Sequence, residues 1–495
     1  MNTQSAQRQL LKSTGIIGGS QLMIMVLNVI KTKIFSFLLG PEGIGLIGLL
    51  TSLLDLVRST SSLGLHVSGI RYIADRTVNG SQRQKEREIY VFRQWVLLSA
   101  VLGAVICFLC AAPLCRFVFE SEDQAATVRI LSICVFLTAI SGGQAATLQA
   151  MKQVGALAMT NLTATFFTFL STILIAYLYG MNGVIGIFLC TALFLCISGR
   201  YYLRQAYTPS VETRLAFREW FRRGVPMVRL GLLTMLTGLA TYGSLFLVKG
   251  YITRQSGLET AGVFQAAWQV SALYLGMLLN AMGTDLYPRL SEVNRDRKAL
   301  SALVDSQLHL GILLVGPLLA ALLAFAPLAI RILYSDSFLD AVPLLRWLML
   351  AFFLRSISWT MSYVLMAKAM SKPFLFIELL WYLIYLPLAW LLYPSKGIEG
   401  VGIASLIAFS VYTILLFGMM SRIGCRLSVR TIRLGIAYGV MMAAVFLLNL
   451  WVEGWPAIVL NGLMVGAGAC YSLSSISRIV DLRTLFDKFI RKFKR

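Results

Sequence analysis

Eight basic side chains fall inside long apolar runs of this 495-residue sequence: Lys31, Lys33, Arg58, Arg129, Arg229, Lys249, Arg346 and Arg355. Only three acids do the same: Asp55, Asp285 and Glu378. A charge in a bilayer costs at least ~2.5–3.5 kcal/mol, so such residues face a protein interior or a wet cavity. The chemistry open to a surplus of buried cations is anion binding. Arginine holds two phosphate oxygens at once in a planar fork, and lysine adds a point charge. An exporter of organic cations would need the reverse, a net acidic lining.

Depth along each span sorts these residues. Arg58 and Arg355 lie too far from either end to reach the interface and are expected to line a cationic cavity. Lys31 and Lys33 fall in the outer third of span 1, Lys249 at the outer end of span 7, and Arg129 and Arg346 near the outer ends of spans 4 and 10. Those five either line the same cavity or extend their head groups to the interface. Arg229, near the inner end of span 7, does the latter. Asp55 and Arg58 are three residues apart, so they share a helical face and can pair. Asp55, Asp285 and Glu378 are either ion-coupling carboxylates or salt-bridge partners.

Other chemistries find little support. The two histidines, His66 and His309, are isolated, and the eight cysteines lie in or beside apolar runs without a metal-binding or disulfide pattern. There is no phosphate-binding loop with Lys-Ser/Thr, so ATP bound by this chain does not supply energy. No cofactor and no metal are expected, and outer loops are too short to carry an enzyme's active site.

The elements that must position the cations are membrane helices. The chain is 58% hydrophobic and 13% charged with a mean hydropathy of +0.75; soluble domains carry roughly 25% charged residues. About fourteen apolar runs approach the ~20 residues that a helical crossing needs, which predicts an all-α polytopic membrane protein. The net charge of +22 invites a nucleic-acid reading, but the Lys and Arg cluster in alternate connections, as the positive-inside rule requires. Nucleic acid is therefore not an expected partner. Both termini are expected in the cytoplasm, and membrane lipids account for the surplus charge.

A repeat organises the spans. Leu39-Gly40-Pro41-Glu42-Gly43-Ile44-Gly45 breaks the chain between spans 1 and 2, and Gly40, Glu42 and Gly45 recur as Gly257, Glu259 and Gly262, at an offset of 217. Arg129 meets Arg346, and Gly180 and Gly183 meet Gly397 and Gly400 at the same offset. Six spans per copy give both copies one orientation, a parallel repeat of the kind found in secondary transporters. The expected divisions are 1–205 (spans 1–6), a cytoplasmic linker 206–223, 224–425 (spans 7–12), 426–478 (spans 13 and 14), and 479–495. In the last, Leu482, Leu485, Phe486, Phe489, Ile490 and Phe493 form one stripe of a basic amphipathic helix. Span 2 is expected as one helix over about 44–76, and span 3 to begin near residue 94 after a basic loop.

The Gly40 break after a span carrying Lys31 and Lys33, together with Gly262-Val263-Phe264-Gln265 and Tyr287-Pro288-Arg289-Leu290-Ser291-Glu292, resembles the polysaccharide-exporting branch of the multidrug/oligosaccharidyl-lipid/polysaccharide (MOP) superfamily. Within it the likeness is to Wzx-type O-antigen and enterobacterial common antigen flippases, over residues 1 to about 425. The resemblance implies two six-helix lobes and a lipid-linked oligosaccharide, on undecaprenyl pyrophosphate, flipped from the inner to the outer leaflet of a bacterial inner membrane by alternating access. It also implies a polysaccharide polymerase and a chain-length regulator as partners. Spans 13 and 14 depart from the twelve-helix plan and resemble the fourteen-helix lipid II flippases. The competing functions are a cation-coupled multidrug exporter of the same fold and a membrane glycan polymerase or ligase.

Overall fold

Inside hydrocarbon every peptide group must be paired within its own segment, so a spanning chain of this composition has helices as its solution. The computed structural model describes residues 3–77, 81–120, 124–207, 215–452 and 454–479, with the side chains of 3–18, 75–77, 82, 119, 274, 277, 280, 281, 284, 285, 287 and 479 outside the description. Among the described residues there are helices and no strands. The chain opens with α1 (Thr3–Leu38), α2 (Gly40–Ser61), α3 (Leu65–Thr77), α4 (Gln82–Leu109), α5 (Ala111–Phe119) and α6 (Ala125–Ala150). Then come α7 (Val154–Tyr179), α8 (Val184–Ala206), α9 (Phe217–Glu292), α10 (Arg297–Ala324) and α11 (Ala326–Leu333). The last five are α12 (Ala341–Ala367), α13 (Ser371–Lys396), α14 (Ile398–Ile423), α15 (Val429–Trp451) and α16 (Trp455–Ile479).

Among the described residues, twelve stretches are long and apolar enough to cross a bilayer. Two of them, Val154–Ala206 and Phe217–Leu273, are 53 and 57 residues long, more than twice the ~20 residues of one crossing. A 3₁₀ turn at Gly180–Gly183 divides the first, and the non-helical Gly257 (φ 84°) breaks the second. Divided there, they restore the fourteen expected spans.

The repeat is written into the backbone. Gly40 and Gly257 have positive φ, as do Gly180 and Gly397, and Lys152 and Ala369; each pair is 217 residues apart. Helices α6 and α12 end alike. Gln153 N–H donates to Leu148 O, and Met370 N–H to Leu365 O, both at 2.9 Å. These are the six-to-one bonds of a Schellman ending, which needs a left-handed residue just past the helix. Lys152 and Ala369 fill that position without being glycine.

Sequence periodicity missed two boundaries. The span expected as one helix over 44–76 is broken at Ser62–Gly64, where Leu63 (φ 51°) and Gly64 (φ 68°) are left-handed. Gly64 lies against the backbone of Gly231 in α9, where any side chain on either glycine would overlap the other strand of backbone. The loop expected before residue 94 is instead the start of α4, capped by the Ser81 hydroxyl, which accepts from Gln84 N–H. The terminal amphipathic stretch beyond residue 479 lies outside the described residues.

Contacts divide the chain at a point different from the repeat. Residues 1–265 with 333–337 form one compact unit, and 266–332 with 338–495 the other. In the first, α6 packs on α4 and α8, and α7 on α8 and α1. The first part of α9 runs antiparallel to α2, because Gly238 meets Ser59 while Gly262 meets Pro41. Its base is held by charge at the basic end. Arg223 pairs with Glu219 (3.2 Å) and Glu88 (3.9 Å), Arg87 pairs with Glu219, and Tyr72 donates to Glu88. Trp220 and Phe221 pack on Trp95 there. In the second unit, α12 is the central helix, packed by α10 and α14, while α15 and α16 pack on α10.

The two copies of the repeated turn meet within the first unit. A methyl on Gly45 would overlap the Leu258 carbonyl oxygen, and one on Gly262 would overlap that of Pro41. Pro41 and Leu258, like Gly45 and Gly262, are related by the offset of 217, so the contact is reciprocal. Gly262→Ala is expected to force this seam apart and cost roughly 1–3 kcal/mol, read as a lower thermal midpoint of the purified protein. Gly155→Ala, where a methyl meets nothing within 4 Å, should leave the midpoint unchanged. Equal midpoints for the two variants would contradict the close contact.

Candidate functional site

Helix α2 presents Gly48, Ser52 and Asp55 along one stripe, by its four- and three-residue spacing. Lys249 of α9 points into that stripe. Its ammonium donates to Gly48 O (2.8 Å) and Ser52 Oγ (2.6 Å), while Ser52 donates to Gly48 O (2.9 Å). The lysine is 2% exposed. Asp55 lies near enough to act on it through space. A buried ammonium with this set of acceptors is bound within the protein, so Lys249 neither reaches an interface nor opens to water. Asp55 and Arg58 pair as their spacing predicts, at 3.3 Å, and both keep substantial exposure, 27% and 42% of their side chains.

The place of Arg58 is sharper than expected. It sits one turn before the break at Ser62–Gly64 rather than in the middle of a continuous helix. Ser62 N–H returns to Arg58 O, closing the end of α2. Discontinuous helices at membrane depth free backbone groups for ligands. The run Ser59-Thr60-Ser61-Ser62-Leu63-Gly64 was the sequence signal for this break, since hydroxyl residues followed by glycine are an unusual content for an apolar span.

The remaining cations of the first unit differ in their surroundings. Lys33 donates to Tyr334 O and lies 4.9 Å from the Phe37 ring. Lys31, one half-turn away, is half-buried. Arg129 is exposed and covers the Phe108 ring at 5.9 Å.

The second unit holds Arg355 and Glu378. Arg355 is on α12 and exposed, although Phe352, Phe353, Ser356 and Ile357 around it on that helix are buried. Its guanidinium lies 5.5 Å from the Phe352 ring and 5.7 Å from the Phe409 ring. No carboxylate lies within 4.0 Å of it among the described residues. Glu378 of α13 accepts from Tyr412 Oη at 2.6 Å and is within electrostatic reach of Arg355. Arg346 is committed elsewhere. It donates to Asn449 Oδ1 (3.0 Å) and Asn449 O (3.3 Å) at the end of α15, and Asn461 of α16 donates to the same Oδ1 (3.2 Å). The side chain of Asp285 lies outside the described residues. Among the described residues no cluster of His, Cys, Asp and Glu could hold a metal, and the cysteines are unbridged.

Thus the structure brings Asp55, Arg58 and Lys249 together in the first unit, and Arg355 and Glu378 together in the second. Arg346 binds Asn449 of α15, a partner more than a hundred residues away that no local pattern could have disclosed.

Comparison with known proteins agrees with this architecture. A family model described as polysaccharide biosynthesis protein matches residues 34–343. Two similar proteins, the lipid III flippases of Escherichia coli (strain K12) and Shigella flexneri, are each 20% identical over 405 residues, which cover 81% of this chain and 95% of theirs. Among solved structures, the lipid II flippase MurJ in an inward closed conformation is similar with a TM-score of 0.72 at 13% identity, covering 93% of this chain and 98% of its own. An inward-facing multidrug resistance MATE family transporter of the MOP superfamily matches with a TM-score of 0.70 at 15% identity, over 81% of this chain and 95% of its own. At such identities these likenesses are of fold, whereas the family match covers well over half the sequence. The chain belongs to the polysaccharide biosynthesis protein family, built on the all-helical fold of the MOP-superfamily transporters.

Proposed function

We propose that this protein is a flippase that moves an undecaprenyl-pyrophosphate-linked oligosaccharide, an O-antigen or exopolysaccharide repeat unit, from the inner to the outer leaflet by alternating access. The observation that carries this reading is the state of its two deep arginines. Arg355 rests on aromatic rings with no carboxylate within 4.0 Å among the described residues, and Arg58 shares one exposed contact with Asp55. Each therefore retains donors for an anionic ligand. A diphosphate offers matching acceptors, and charged hydrogen bonds are each worth roughly 1.5–3 kcal/mol. The likeness to the lipid III flippases supplies the second support.

Residue roles follow from the same surroundings. Arg58 in the first unit and Arg355 in the second are each a binding group for anionic oxygens of the substrate, and Lys31 and Lys33 meet anionic groups toward the outer end of α1. Arg129 is a peripheral contact. Lys249 and Arg346 hold helices in place: the first ties α9 to α2 and the second ties α12 to α15. Asp55 is the ion-coupling carboxylate, because it is partly exposed and its partner Arg58 is the residue that a substrate would claim. Glu378, held by Tyr412, orients Arg355. The chain is a transporter and not an enzyme, sits in the bacterial inner membrane with both termini in the cytoplasm, and works beside a polysaccharide polymerase and a chain-length regulator. Residues 1–205 and 224–425 act as its two repeated lobes.

Arg58→Gln and Arg355→Gln are each expected to lower flipping by about 10- to 100-fold, the loss of one charged hydrogen bond, with thermal midpoints near that of the wild type. Flipping is measured in vesicles carrying undecaprenyl-pyrophosphate-linked glycan. Arg129→Gln should retain most activity. Undiminished flipping in both deep variants would sink the anion-binding role, and acquisition of drug resistance by cells expressing the chain would favour an exporter instead.

Asp55→Asn is expected to leave residual flipping but remove its dependence on an imposed proton or sodium gradient, tested in the same vesicles with and without the gradient. A variant that keeps the full gradient response would reduce Asp55 to a salt-bridge partner.

A further inference from the structure

A second cationic place lies in the second unit, away from Arg355. A groove of about 580 Å³ runs between α15 and α16, within the ~300–1,000 Å³ usual for small-molecule sites. Arg430 and Arg433 stand at one end of it, three residues apart on one face of α15. Beyond them the walls turn apolar and aromatic: Ala437, Met441, Gly468 and Tyr471. Tyr438 forms part of the floor, buried and donating to Gly468 O at 2.7 Å. Gly468 gives the groove its depth, because a methyl there would stand 3.0 Å from the Met441 sulfur.

The electrostatics of this end favour an anion. Both arginines fall in the first two turns of α15, where the unpaired N–H groups of a helix already carry partial positive charge. Arginine is the unfavourable choice at that position unless an anion is to be shared. Ser428 caps the helix by accepting from Thr431 N–H, and the first turn holds no acid. The groove lining holds no acid either. The carboxylate facing this terminus from α10 is Asp305, and it is taken by Ser428 N–H at 2.8 Å. Arg297 lies beside Gly424 and adds to the basic charge at this end. Both Arg430 and Arg433 are exposed. The opposite face of α15, with Thr431, Gly435 and Met442, turns instead toward Leu308 and Phe353 of α10 and α12. The arginines therefore point away from the body of the unit.

A basic head site continuous with an apolar trough matches a molecule with a phosphate and an alkyl chain. Basic pockets between helices on the cytoplasmic side are where anionic head groups bind. We propose that the groove between α15 and α16 holds an anionic phospholipid, with its phosphate between Arg430 and Arg433 and one acyl chain along Ala437, Met441 and Gly468. This site is separate from the arginines assigned to the transported substrate, and it gives the two helices outside the repeat a ligand of their own.

The full-length protein, purified in detergent, is titrated with phosphatidylglycerol and with phosphatidylcholine of the same chains, and bound lipid is counted by native mass spectrometry. Wild type should retain phosphatidylglycerol in preference to phosphatidylcholine. Arg430→Gln with Arg433→Gln should weaken the anionic lipid by about thirtyfold, a factor of roughly five for each arginine near the interface. Arg430→Lys with Arg433→Lys should keep most of the binding. Ala437→Trp, which fills the trough while leaving both arginines, should lose it. Arg200→Gln with Arg204→Gln, a basic pair in the other unit, should bind as wild type does. The proposal is overturned if the double Gln variant binds phosphatidylglycerol normally or if the two lipids bind alike. It is also overturned if inorganic phosphate at millimolar concentration displaces the lipid from wild type, or if the full-length chain takes up no lipid because its own segment 480–495 fills the groove. Flipping is not measured, so failure of the flippase reading would leave this result intact.

Discussion

Two backbones in van der Waals contact set the terms for the first unit. Helix α2 and the first part of α9 lie so close that Gly45, Gly64, Gly231 and Gly262 each face main-chain atoms of the other segment. Lipid offers no hydrophobic drive for one helix to join another, so association in a membrane rests on close packing and on polar contacts that packing permits. Lys249 depends on this. Its ammonium reaches a main-chain carbonyl, Gly48 O, at a glycine where a methyl would overlap the Gln265 side chain. Removing a buried charge from its partners costs about 3–5 kcal/mol, so the lysine in turn holds the helices to their separation. The glycines make the contact possible, and the cation makes it costly to undo.

The same accounting separates the other membrane cations. Lys249 and Arg346 are provided for by acceptors within the protein: two on α2 for the lysine, and two from Asn449 for the arginine. Arg58 is provided for in part, and Arg355 lies over two rings with no carboxylate within 4.0 Å among the described residues. A protein that needed these charges solely for stability would have paired all four alike. On the proposed function, the uneven provision, together with the helix break beside Arg58, separates groups open to a ligand from groups committed to packing.

Much of this was legible in the chain. Turn residues at a fixed offset revealed the repeat, because positive φ selects glycine wherever a helix ends against a following one: Gly40 with Gly257, and Gly180 with Gly397. Asp55 and Arg58 were legible as a pair because helical spacing alone brings them together. What was hidden depends on contacts between distant segments. The left-handed Leu63 lies against Gly231, and the tie from Arg346 to Asn449 spans 103 positions. Apolar periodicity is blind to both, since a broken helix and a continuous one have the same average hydropathy. The division of α9 between two compact units was equally invisible, because contact between chain segments and descent from a repeat are different properties.

The resting partners of Arg355 also bear on turnover. A guanidinium over an aromatic face gains about 0.5–1 kcal/mol when exposed and about 2 when desolvated. A phosphate oxygen offers roughly 1.5–3 kcal/mol for each charged hydrogen bond. On the proposed function, an arriving diphosphate would displace the arginine's ring contacts at a net gain, and the rings at Phe352 and Phe409 would recover it when the ligand leaves. A carboxylate in salt-bridge contact would compete with the ligand for the same donors and leave a buried anion unpaired each time it lost. Aromatic partners carry no such penalty, since their faces have no charge to strand. A transporter must release what it binds, and an arginine held weakly in the empty state and more firmly in the loaded one keeps the difference between those states small enough to cross in both directions.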